Sequence, residues 1–339
     1  MPFPSRLIDL HCDWLLQYAL ESTVFDPALY SGVEARYSQS EGYLQGTSAA
    51  VFACYRRVED WARQADPWRS LGDLITRVEA EFPGRLLIGP DDHARWLDEP
   101  SSLCWGVIGV EGFDSLVREA ADLDRLPGLF ERGARVFQPV YSSSNVLGGS
   151  STPGDDRGLT DLGRAFLSVL AEIAPREGGP RPVFDLAHLN PTTASDVLDW
   201  FESESGRRDK IIPIYSHGNT LQQNGFVSLR ACSAENLARL RALGGLIGFT
   251  PSFFESADAL KSGIESAASL PFLGRAGFEG IALATDFLGV DRTPPGLGNV
   301  EGLVDWAISA FPSDVAEGLL DGNARTLLAF LCGSNNPGD

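Results

Sequence analysis

The chain has four histidines, and three of them follow short apolar runs: His11 after Leu7-Ile8-Asp9-Leu10, His188 after Phe184-Asp185-Leu186-Ala187, and His217 after Ile214-Tyr215-Ser216. Carboxylates occupy the same kind of place. Asp13 lies two residues beyond His11, Glu111 follows Trp105 to Val110, and Asp286 follows the run from Gly280 to Thr285. Imidazole and carboxylate without thiolate form the ligand set of zinc, manganese and related divalent ions used in hydrolysis. Residues two apart on a strand share a face, so His11 and Asp13 can hold one ion between them. A single His-x-Asp is more often an ordinary hydrogen-bonded strand end than a ligand pair. The weight comes from five ligand-type residues falling at four strand ends.

A two-metal site needs a bridging group. Glu111 is the natural candidate, with His11 and Asp13 on one ion and His188 and His217 on the other. A carboxylated lysine is excluded, because neither Lys210 nor Lys261 follows a strand end. His93, in Asp91-Asp92-His93-Ala94-Arg95, receives no role. Asp9 is expected on the strand face of His11 and Asp13, either accepting a hydrogen bond from a ligand or making an ordinary buried polar contact.

The elements that must position these residues are eight apolar runs. The pattern predicts strands at Arg6–His11, 46–55, Trp105–Val110, Gly133–Val140, Pro182–Ala187, Ile211–Ser216, Gly244–Thr250 and Gly280–Thr285. Between them it predicts helices at Asp60–Phe82, at Asp161–Ile173 with Thr160 as N-cap, at Pro191–Phe201, after Ser233 to Leu243, at Ala257–Leu273, and over Val300–Leu331 with a turn near Pro312. Residues 14–37 and Ser142–Gly158 read as long loops. Strand, loop and helix repeated eight times predict a (β/α)8 TIM barrel, an α/β fold of the metal-dependent hydrolase type, over residues 1–332 as one domain, with 333–339 as a polar tail. In such barrels chemistry sits at the C-terminal ends of the strands, which is where His11, Asp13, Glu111, Tyr141, His188, His217 and Asp286 fall. An open doubly wound sheet is the other architecture considered, but it would need a Gly-x-Gly-x-x-Gly turn after the first strand, and none is present.

A chain of 339 residues with 43% hydrophobic composition can bury a substantial core. The net charge of −19 argues against a nucleic-acid partner. Five scattered cysteines without Cys-x-x-Cys spacing point to a reducing compartment and to small buried packing residues. With no apolar leader and no run near the ~20 residues of a membrane span, the expectation is a cytoplasmic protein without membrane attachment.

The segments Asp9-Leu10-His11-Cys12-Asp13, Gly109-Val110-Glu111-Gly112, Phe184-Asp185-Leu186-Ala187-His188, Tyr215-Ser216-His217 and Thr285-Asp286-Phe287-Leu288-Gly289-Val290 together resemble the membrane (renal-type) dipeptidase family of zinc peptidases, in particular its bacterial cytoplasmic branch. Their order and spacing match over almost the whole chain. The resemblance implies a barrel holding two Zn2+ ions, other divalent ions being an alternative, that hydrolyses dipeptides and tolerates a D-residue at the C-terminal side. It implies that the ions lower the pKa of a shared hydroxide that attacks the scissile carbonyl. Arg230 would then hold the substrate carboxylate, and Asp286 would contact the free amine and pass a proton. Where better-known members carry His to steady the carbonyl oxygen, this chain aligns Tyr141, whose phenol can still donate a hydrogen bond. Leu10 replaces a usual Gly, and the secretory signal and lipid anchor of animal members are missing.

Two other readings stand beside this one: an amidohydrolase-type enzyme acting on another small amide or lactone, and a binding protein on a catalytically decayed scaffold. Side-chain preference and oligomeric state, including a homodimer, are left open by the sequence.

Overall fold

Alternating apolar residues at eight places in the chain resolve into strands β1 (Leu7–Cys12), β2 (Thr47–Tyr55), β3 (Trp105–Glu111), β4 (Ala134–Gln138), β5 (Val183–Asp185), β6 (Ile212–Thr220), β8 (Leu246–Phe249) and β9 (Ile281–Leu283), with a two-residue strand β7 (Ala231–Cys232) beside the end of β6. The computed structural model describes residues 6–15, 39–56, 64–98, 103–152, 154–174, 178–204, 206–220 and 231–334. Every strand pairs in parallel with the next, in the order β1-β2-β3-β4-β5-β6-β8-β9. The last strand returns to the first. Asp286 N–H donates to His11 C=O at 3.0 Å and Asp13 N–H donates to Phe287 C=O at 3.0 Å, so the barrel is joined at the ends that carry the candidate ligands. The fold is the expected (β/α)8 barrel.

The sheet sorts side chains by alternation. Along β3, Trp105 and Val107 pack inside the barrel while Ile108 and Val110 face the surrounding helices. Along β2, Ala49 and Val51 point in, and Phe52 and Cys54 point out. The C-terminal helix Asn323–Cys332 plugs the N-terminal mouth, burying Leu327, Leu328 and Leu331 with Ile8, Leu10 and Trp105. Each such side chain contributes roughly 1.5–3 kcal/mol. This plug leaves the C-terminal mouth as the end where polar groups gather.

Helix boundaries are sharper than the sequence pattern. The helix expected at Asp60–Phe82 is described from Pro67 to Glu81, with Asp66 accepting the Arg69 N–H as its cap; residues 57–63 lie outside the described residues. Proline at the first helical position costs no hydrogen bond, which is why the helix starts there. Thr160 caps Asp161–Ile173 as expected, accepting from Gly163 N–H, and Ser233 caps Ala234–Ala242. The run from Ala257 is helical only to Ala268, after which Phe272 and Arg275 form a small bridge. Val300–Leu331 divides after Ala310 into helix Val300–Ala310 and a second helical run in which Ser313–Glu317 passes through a π-helical turn, Gly318–Gly322, into Asn323–Cys332. A helix at Pro90–Asp98 was not anticipated; it buries His93 beside Trp96, well away from the other histidines' strand ends. Among the described residues no helix is long and apolar enough to cross a membrane. All five cysteines are free and buried.

Candidate metal centre

Alternation along β3 brings Glu111, its last residue, to the inside of the C-terminal mouth. There the two oxygens of its carboxylate face opposite ways. Oε2 lies 3.4 Å from His11 Nε2, while Oε1 lies 3.3 Å from His188 Nε2 and 3.9 Å from His217 Nε2. His188 Nε2 and His217 Nε2 stand 3.0 Å apart, and His11 Nε2 is 3.9 Å from Asp13 Oδ1 and 4.0 Å from Asp286 Oδ1. The geometry yields two ligand groups that share Glu111, one with His11 and Asp13 and one with His188 and His217. All five predicted ligands are thus brought together, at 2–6% exposure.

The chain bends to make this possible. His188 and Asp286 both occupy the left-handed region, with φ of 67° and 52°, and Leu288 does so at 70°. Non-glycine residues rarely go there, and such strain is characteristic of sites that over-determine the backbone. Pairing of β1 with β2 shifts between Asp9 and Cys12, and pairing of β6 with β8 shifts between Tyr215 and Gly218. β6 therefore runs on past His217 to Thr220, beyond its expected end at Ser216. A side chain at Gly289 would strike the carboxylates of Asp13 and Asp286, so only glycine allows that loop to lie against them.

The shift in β1 also corrects the expectation for Asp9. Simple alternation would put it on the face of His11, but its carboxylate points to the outer layer. There it accepts hydrogen bonds from Tyr43 Oη at 2.6 Å, from Thr285 Oγ1 and from Thr285 N–H at 2.9 Å. It reaches His11 through the backbone N–H alone, at 3.2 Å. Asp9 thus fastens β1 to the segment after β9, holding the seam at which His11 and Asp286 meet. Cys12 faces the outer packing layer, as expected.

Electrostatics agree with a cation site. Burial alone would lower the His11 pKa, but Glu111, Asp13 and Asp286 together push it up to about 10. Burial would raise Glu111, yet His11 and His188 hold it well below the usual carboxylate range. Neither His11 Nε2 nor Glu111 Oε2 has an aligned hydrogen-bond partner in the protein, although both are buried. Buried polar atoms left in this condition are costly unless another species completes them. Two imidazole nitrogens on one tetrahedral zinc, at ~2.0–2.1 Å each, would stand roughly 3.3 Å apart. The separations of 3.0, 3.3 and 3.4 Å around Glu111 match that spacing. The donor set therefore fits divalent metal ions, with Glu111 common to both groups.

Tyr141 stands at the rim, half-buried, its ring 4.5 Å from the His188 ring and 4.4 Å from the Tyr55 ring. Arg230 lies outside the described residues. Several neighbours escaped the sequence reading. Tyr55 is opposite Glu111 in the β2–β3 register, and burial followed by the Tyr141 hydroxyl drives its pKa far above the usual phenol range. Gln138 donates to Glu111 Oε1 at 3.0 Å. Asp185 sits beneath His11 and His217. Burial lifts Asp114, two residues past Gly112, to about 6. For Tyr55, Gln138 and Asp185 the signal was available: each continues the inward alternation of its own strand, after Val51, Val136 and Val183 respectively.

A search of protein-family models finds no match for this chain. Solved structures are similar over almost its whole length. A metallopeptidase from Rhodobacter sphaeroides, crystallised with a phosphinate mimic of the dipeptide L-Ala-D-Ala, has a TM-score of 0.70 at 19% identity, covering 97% of this chain and 100% of that one. The dipeptidase AC, a metallopeptidase, has a TM-score of 0.70 at 18% identity over 98% and 100% of the two chains. An amidohydrolase from Pseudomonas aeruginosa has a TM-score of 0.65 at 16% identity over 97% of each. By fold, the chain is built as these dipeptidase and amidohydrolase barrels are built.

Proposed function

We propose that the protein is a metal-dependent dipeptidase that binds two divalent ions, zinc foremost, at the C-terminal mouth of the barrel. The observation that carries this reading is the divided carboxylate of Glu111, with one oxygen toward His11 and the other toward His188 at nearly equal distances. His11 and Asp13 would hold one ion, His188 and His217 the other, and Glu111 both. Bound there, the ions would supply water activation at neutral pH and polarisation of a carbonyl oxygen. The chain's own residues supply the rest. Asp286, aimed at the site from the left-handed turn after β9, carries the proton to the leaving amine and contacts the substrate's free amine. Tyr141 donates its hydroxyl hydrogen to the carbonyl oxygen as negative charge develops on it. Arg230 is assigned the substrate's carboxylate.

Similarity to a barrel crystallised with a mimic of L-Ala-D-Ala supports dipeptides as substrates, including those with a D-residue at the C-terminal side. Residues 1–332 are assigned to one catalytic barrel, and five buried thiols favour a reducing, cytoplasmic setting. The direct test is hydrolysis of a panel of L,L and L,D dipeptides by zinc-loaded protein. Cleavage within the panel is the expected result. Turnover of a different small amide or lactone, with every dipeptide intact, would transfer the site to amidohydrolase chemistry. Absence of bound metal and of any turnover would favour a binding protein.

A further inference from the structure

Beneath the metal-binding groups lies a buried carboxylate that the proposed reaction leaves unused. Asp185 ends β5 at 1% exposure. Its Oδ1 accepts the backbone N–H groups of Ala187 and Ser216, each at 3.0 Å. Those two residues immediately precede His188 and His217, so one carboxylate oxygen fixes the approach of both imidazoles. The Ser216 hydroxyl lies against the same carboxylate, and its Oγ is 2.8 Å from His217 Nδ1. The other oxygen, Oδ2, has no hydrogen bond from the protein. An oxygen of Asp185 also comes within 4.8 Å of ring nitrogens of both His11 and His217.

The direction of the hydrogen bonds follows from what each group can do. An ionised carboxylate only accepts. With its own hydrogen turned to Asp185, the Ser216 hydroxyl oxygen can take the Nδ1 proton of His217. His217 is left with its lone pair on Nε2, which is the atom facing His188 and Glu111. The opposite tautomer would place a proton between those groups and block a cation. Histidines that bind metals are commonly oriented by an acceptor on the far ring nitrogen. Here a serine stands between the acceptor and the ring.

We propose that Asp185 is a positioning residue that acts through the Ser216 hydroxyl to fix His217 as an Nε2 ligand while its negative charge stabilises the cations above it. The inference rests on the mouth of the barrel being a metal site, and it does not depend on the substrate. The experiment uses the full-length chain stripped of metal and titrated with Zn2+ against a chromophoric chelator, and with Co2+ while visible absorption is recorded. Asp185→Asn retains an oxygen acceptor for the two backbone N–H groups and removes the charge; Ser216→Ala breaks the link to His217. Zn2+ affinity is expected to fall ~10–100-fold in each variant, with an altered Co2+ spectrum and a double variant no weaker than the worse single one. Wild-type affinity and spectrum in both variants would overturn the proposal, as would a loss of thermal stability in the metal-free form with affinity unchanged. If Asp185→Asn fails to fold, Ser216→Ala decides alone. Wild-type protein that takes up neither ion refutes the metal site itself and the proposal with it, an outcome visible before any variant is made.

Discussion

Replacing Glu111 by Gln keeps the size of the side chain and removes the charge that joins the two halves of the site. Glutamine has one acceptor oxygen and one amide nitrogen, so it cannot accept at both ends; whichever way it turns, an N–H faces either His11 or His188. Loaded protein should then hold no more than one ion, with apparent affinity reduced on the order of 100-fold. The metal-free protein offers a second readout. His11 is pushed up to about 10 against the opposing effect of its own burial, and Glu111 is the largest contributor to that rise. Relative to an ordinary histidine near 6.5, and at ~1.4 kcal/mol per pH unit, the net effect of burial and the surrounding carboxylates on His11 is worth about 5 kcal/mol to the folded metal-free state. Losing Glu111 should cost on the order of 3–5 kcal/mol, as for other broken buried pairs. Because the folded-state pKa of His11 is raised, this stabilisation is complete below ~6.5 and disappears as pH rises through about 10. Urea denaturation of metal-free wild type and Glu111→Gln should therefore show a wide gap at pH 6 that narrows toward pH 10. A variant that still binds two ions, or a gap that does not change between these pH values, would rule out this role for Glu111.

Three further outcomes are expected. Asp286→Asn should lower kcat for dipeptide cleavage by ~10²–10⁴ while metal content measured by atomic emission stays at the wild-type level. Tyr141→Phe should lower kcat by ~10²–10³ with little change in KM, because the hydroxyl is assigned to charge that develops only in the transition state. Asp114→Asn should be more stable than wild type at pH 7.5 by about 2 kcal/mol, after a discount for partial exposure. Burial lifts the Asp114 carboxyl to about 6, so the folded state is penalised above that value and relieved as pH falls toward ~4; the thermal unfolding midpoints of the two proteins should converge there.

The barrel, and the gathering of His11, Asp13, Glu111, His188 and His217 at one mouth, could be read from the sequence because both depend on period-two alternation between capped helices. Glu111 is the clearest instance: Trp105, Val107 and Gly109 precede it on the inner face of β3, and no irregularity intervenes. The same rule, followed to the end of β2, β4 and β5, would have found Tyr55, Gln138 and Asp185. Where the ladder shifts, the rule fails. Asp9 and His11 lie on different faces because pairing slips between Asp9 and Cys12, and the sequence of β1 contains no glycine or proline to announce it. The left-handed turns at His188 and Asp286 are likewise invisible: Asp and His enter that region more often than most residues, but only a small minority of them do, and tertiary contacts impose it here. The start of the helix at Pro67 was marked by Asp66 and Pro67 themselves, but the apolar aromatic Trp61 extended the pattern past them.

The proposed role of Glu111 is to join two metal-binding halves of a site that cleaves dipeptides. It is tested most directly by counting zinc bound per chain and assaying L,L and L,D dipeptides on the same preparation. Two zinc ions per chain are expected, with dipeptide hydrolysis that disappears with chelation and returns with zinc. A fully folded protein that binds no zinc at micromolar concentration, or one that holds two ions and cleaves no dipeptide, would contradict it.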